Sequence, residues 1–69
     1  MADVKISLAA ARVNAKMTQE QVAEAMNISK VTLINWEKGK TKIPFVSLVA
    51  LCDIYNFPID YIFLPYNLT

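Results

Sequence analysis

The chain has 69 residues, a formal net charge of +1 and 55% hydrophobic side chains, a high apolar share for one small domain. It has no histidine, no paired carboxylates on one helix face and no phosphate-binding glycine pattern, which argues against an enzyme and predicts no metal, no cofactor and no small-molecule ligand. Its single cysteine, Cys52, excludes an internal disulfide and fits a reducing cytosol, and no apolar run approaches the roughly 18 residues of a membrane span, so the expected location is the cytoplasm.

Five short helices are expected in chain order, at about 4–15, 19–26, 30–37, 45–55 and 59–63, packed as one compact all-α bundle over residues 1–69. Asp3 is a candidate N-cap for the first, with Ile6, Leu8, Ala11 and Ala15 as an uneven apolar stripe. Lys16 falls just past its end, where glycine is preferred. Thr18 followed by Gln21 has the capping-box spacing, and Met17 with Val22 has that of a hydrophobic staple. This second helix buries Val22, Ala23 and Met26, and the small side chain of Ala23 allows a neighbouring helix to cross closely. Asn27 suits the left-handed conformation that ends it. Ser29 then repeats the cap, with Ile28 before it and Leu33 as staple partner. Two capped helices joined by so tight a turn make a helix-turn-helix, whose second helix typically enters a DNA major groove.

In that second helix Leu33 or Ile34, with Trp36, faces the core, leaving Lys30, Val31, Thr32 and Asn35 on or near the outer face. Gly39, the only glycine, closes it and opens a Gly-Lys-Thr-Lys loop whose backbone N–H groups are expected to be exposed. Pro44 opens the fourth helix, with Phe45, Leu48, Val49, Leu51, Cys52 and Tyr55 as a broad apolar face. Asn56 ends it. Pro58 starts the last helix, with Asp60 near its positive end, and Tyr66–Thr69 reads as a tail. No strand is expected.

Charge is unevenly spread. Residues 1–29 balance, residues 43–69 hold only Asp53 and Asp60, and residues 30–42 set Lys30, Lys38, Lys40 and Lys42 against Glu37 alone. Positive charge therefore gathers on the second motif helix and the loop after it, where phosphates would be met.

Arg12, Met17-Thr18-Gln19, Ala23, Asn27-Ile28-Ser29, Ile34, Trp36-Glu37, Gly39-Lys40 and the run from Leu51 to Tyr61 stand in the register of a known family. With these residues the chain resembles the Cro/phage-repressor type of helix-turn-helix regulator, the xenobiotic-response-element-like family, over about residues 5–64. The resemblance implies a lambda-repressor-like fold with the motif at helices 2 and 3, and double-stranded operator DNA as the partner. It implies that Lys30, Val31, Thr32 and Asn35 face the major groove, where Lys30 would donate to guanine, Asn35 would pair with an adenine edge and Val31 would touch a thymine methyl. Thr18, Gln19, Ser29, Lys38, Lys40, Thr41 and Lys42 would contact phosphate, and Arg12 with Glu37 would form an internal salt bridge. Two positions depart from the family: Lys16 replaces a frequent glycine, and Pro44 stands where a capping Ser or Thr is common.

The apolar excess near the C-terminus makes Phe57, Ile59, Phe63, Leu64 and Tyr66 candidates for a homodimer interface. Relatives of this type bind as dimers, with recognition helices about 34 Å apart on a palindromic site. The expected function is a sequence-specific transcriptional regulator, a dimeric repressor of phage, prophage or mobile-element type. The alternative is an antitoxin or adaptor module that uses the same fold to hold another protein.

Overall fold

A computed structural model describes residues 4–66, in which four α-helices are followed by a 3-10 turn. They are α1 (Leu8–Asn14), α2 (Gln19–Met26), α3 (Lys30–Lys38), α4 (Phe45–Tyr55) and the 3-10 turn at Ile59–Tyr61. Both motif helices begin on side-chain caps. The Thr18 hydroxyl accepts from the Gln21 amide at 3.0 Å while the Gln21 side chain accepts from the Thr18 amide at 2.9 Å, a complete capping box. Ser29 Oγ accepts from the Thr32 amide at 3.1 Å. Helix ends are set by left-handed residues: Asn27 at φ 57°, Gly39 at φ 75° and Asn56 at φ 52° close α2, α3 and α4. Lys16, at φ 59°, makes the turn between α1 and α2 in the same conformation, which a non-glycine residue adopts at a cost.

The first and last elements differ from the sequence-based expectation for one shared reason. The first helix starts at Leu8 rather than near residue 4, capped by Ser7, whose Oγ accepts from the Ala10 amide at 3.0 Å. Asp3, the expected cap, lies outside the described residues. Ile6 is instead extended: its N–H donates to Tyr61 O at 2.9 Å and its carbonyl accepts from Phe63 N–H at 2.7 Å, forming an isolated parallel bridge between Ile6 and Ile62. That pairing also stops the last helix at Tyr61 rather than at residue 63, because Ile62 must be extended to join it.

The core is drawn from every helix: Leu8, Ala11, Val22, Leu33, Trp36, Ile43, Leu48, Leu51, Cys52, Tyr55 and Ile62 are buried together. Ala23 is buried as well, where α2 packs on α3. On α4 the buried stripe is Leu48, Leu51, Cys52 and Tyr55, one turn apart along one face. Phe45 and Val49, expected on that face, are exposed by 61% and 46%, and Val46 beside them by 80%. Alpha4 thus buries one side and presents an apolar second side to solvent.

Candidate nucleic-acid interface

Glu37 anchors the motif from the far end of α3. Arg12 Nε donates to its Oε2 at 2.8 Å and Gln19 Nε2 donates to its Oε1 at 3.0 Å. The Arg12 guanidinium reaches on to Met17 O at 3.0 Å. With side chains only 15% and 6% exposed, Arg12 and Glu37 form a shielded pair that ties α1, the turn after it and the start of α2 to the end of α3. The Gln19 side chain is therefore committed within the protein. Any phosphate met at the start of α2 is left to the Gln19 and Glu20 backbone N–H groups, since the Gln21 amide is taken by the Thr18 cap.

Next to this cluster, Tyr55 on α4 is buried with no hydrogen-bond partner for its hydroxyl among the described residues. Burial pushes its pKa up to about 12, with Glu37 adding to the shift and Arg12 opposing it. Burial also raises the Cys52 thiol, so its reactive thiolate form is disfavoured.

The outer face of α3 carries a different chemistry. Val31 is 64% exposed on the first turn of the helix, an apolar side chain facing water beside polar neighbours. Thr32 is partly tied back, its Oγ1 within 2.8 Å of Ser29 Oγ. Asn35 lies one turn on from Val31 and Thr32 and is half-buried. Lys30 extends to Glu20 on α2, with Nζ 2.7 Å from Oε2. That hydrogen bond is the main cause of the lowered pKa of Glu20, and both side chains are well exposed, so the contact exchanges readily with other partners.

The sequence profile of the helix-turn-helix family matches residues 8–62. The chain belongs to this family. Its members are DNA-binding proteins of the Cro/phage-repressor type, involved in transcription regulation and without enzymatic activity. Neither the curated proteins nor the solved structures include a match to this chain. No helix among the described residues is long and apolar enough to cross a membrane.

Within this helix-turn-helix domain the lysine-rich loop follows α3 directly. The sequence led us to expect free amides there, and the structure corrects this. Gly39 and Lys40 N–H donate to Asn35 O, Lys40 at 2.9 Å, and Thr41 N–H points the same way at 3.5 Å. These donors complete the end of the helix, as a left-handed cap requires. The exposed side chains of Lys38, Lys40, Thr41 and Lys42 are what the loop offers to an anion.

The C-terminal segment is not a simple tail. Of the five residues expected at a dimer interface, Phe57, Ile59 and Leu64 pack partly buried against the core, and only Phe63 is well exposed, at 56%. The Tyr66 hydroxyl accepts from the Ile43 amide at 2.7 Å. Sequence reasoning did not find this contact, nor the pairing of Glu20 with Lys30. Both join residues distant along the chain, for which no spacing rule exists.

Proposed function

We propose that this protein is a sequence-specific regulator that reads a palindromic operator in double-stranded DNA as a homodimer. It would act in the bacterial cytoplasm as a repressor of the phage, prophage or mobile-element type. The observation that carries the reading is the outer face of α3, where exposed Val31 lies among Lys30, Thr32 and Asn35, with the lysines of residues 38–42 at the far end of the helix. Water gives no reason for an exposed valine between hydrogen-bonding side chains, whereas a major groove presents thymine methyls beside donors and acceptors. Lys30, Val31, Thr32 and Asn35 read bases. Lys38, Lys40, Thr41, Lys42 and the capped starts of α2 and α3 at Thr18 and Ser29 position the backbone.

Dimerisation is supported by the apolar side of α4. Phe45, Val46 and Val49 are exposed, and Phe45 shares one groove with Ile59, Ile62 and Leu64. The same surface favours the second reading, an adaptor or antitoxin module held by another protein. Fluorescence anisotropy with labelled duplex DNA across a salt series separates the two. As a DNA-binding regulator, the protein loses affinity along a straight line in log salt, by about 0.9 logarithmic units per phosphate neutralised for each tenfold rise. Weak binding that ignores salt would favour the adaptor.

A further inference from the structure

The lysine loop is fastened at its far end by the last residues of the described chain. Pro65 lies against Gly39 so closely that a Cβ added there would come within 2.7 Å of Pro65 Cγ. The Tyr66 hydroxyl takes the Ile43 amide at 2.7 Å, where the loop turns into the core. The Lys42 ammonium sits 5.8 Å from the centroid of the Tyr66 ring. The segment that makes these contacts is itself anchored upstream, through the Phe63 N–H bond to Ile6 O at 2.7 Å.

We infer that residues 63–66 form a strap that holds the Gly39–Ile43 loop in the shape needed to meet DNA phosphates, with Tyr66 as its positioning residue. This rests on the reading of that loop as a phosphate contact. The loop has two attachments. At its start, the amides of Gly39, Lys40 and Thr41 return to the end of α3, an attachment local in sequence. At its finish, Ile43 is buried, so its part-buried amide needs an acceptor away from water, and Tyr66 supplies it from 23 residues downstream. Without that acceptor the buried Ile43 side chain still holds the end of the loop but its amide is unsatisfied, so Lys40, Thr41 and Lys42 are less well ordered in advance and must be ordered at the moment of binding, which weakens association. The Tyr66 ring has a second effect: its face attracts the exposed Lys42 ammonium, which biases that side chain toward one direction before DNA arrives.

The test uses the full chain and a labelled random-sequence duplex of about three helical turns, because phosphate contacts do not depend on sequence. Wild type, Tyr66→Phe, Tyr66→Ala and Lys40→Ala are titrated across a salt series, and exchange of the Ile43 amide is followed by hydrogen–deuterium exchange. Tyr66→Phe removes the acceptor and keeps the ring. It is expected to weaken binding about fivefold, with Ile43 exchange accelerated and the thermal midpoint lowered by several degrees, because the Ile43 amide is left without an acceptor. Tyr66→Ala weakens binding further and lowers the salt slope by about one phosphate contact. A merely less stable protein would lose active fraction and keep its salt slope. The inference is overturned if both Tyr66 variants match wild type in affinity and slope while Lys40→Ala binds more weakly. If Lys40→Ala also binds as wild type does, the loop is not a phosphate contact and the reading beneath the inference fails with it.

Discussion

Glu37 receives two donors from two different helices, and its carboxylate is nearly sealed from water. A carboxylate in that setting is stable only while its partners remain, and removing one side leaves the other charge shielded and unpaired. Glu37→Ala, which strands Arg12, should therefore lower stability by about 3 kcal/mol, measured by urea unfolding. No local rule connects Arg12 with Glu37, 25 residues apart. Family resemblance pointed to the pair, but the Gln19 bond to the same carboxylate was not legible, because glutamine at a helix start suits a phosphate equally well. Tyr55 is the converse case, a buried hydroxyl without a partner among the described residues. Tyr55→Phe should be neutral or stabilise by up to about 1 kcal/mol, since no hydrogen bond is lost. Its raised pKa also fixes a pH dependence. Below the ordinary tyrosine value of 10 both states hold the proton; as pH rises toward about 12 the unfolded chain releases a proton that the folded one keeps. Stability should fall across that interval in wild type, and the Tyr55 share of the fall should vanish in Tyr55→Phe, as followed by circular dichroism.

At the scale of elements, the helix ends were the most legible part of the chain. Thr18 and Ser29 cap, and Asn27, Gly39 and Asn56 reverse the chain, because each acts through its own backbone or that of residues a turn away. The misplaced ends, at the start of α1 and after the 3-10 turn, were decided by the Ile6–Ile62 bridge, a contact across the whole sequence that no local propensity records. The exposed side of α4 departs from expectation for a related reason: Phe45 and Val49 have the right spacing for the core, but no other element among the described residues covers them. Lys16 is, among the described residues, the one left-handed residue that is neither glycine nor asparagine. Lys16→Gly should relieve that strain and raise stability by about 0.5–1 kcal/mol despite the greater freedom of glycine in the unfolded chain. Thermal unfolding of the two proteins checks it, and an unchanged or lower midpoint would show that Lys16 is held there by contacts the turn needs.

Over the whole molecule, the main cluster of positive charge and the exposed apolar group on α4 lie on different elements. Four of the six lysines run along α3 and its loop, while Phe45, Val46, Val49 and Phe63 form an exposed apolar group on α4 and the C-terminal segment, stretches with no basic residue. That division suits a protein that meets a polyanion with one part and a second copy with another. The pattern of charge was visible in the sequence; the strap from Tyr66 to the loop was not, because a lone tyrosine near a chain end carries no local signal. In the function proposed above, Lys30, Val31, Thr32 and Asn35 read base edges in a palindromic operator. Selection from a random duplex pool, carried out in parallel with wild type and Asn35→Ala, tests it most directly. Wild type should enrich an inverted repeat with half-site centres about one helical turn apart, and Asn35→Ala should lose preference at a single position in each half-site while still binding. Enrichment of no motif by wild type, or of the same motif by both proteins, would contradict it.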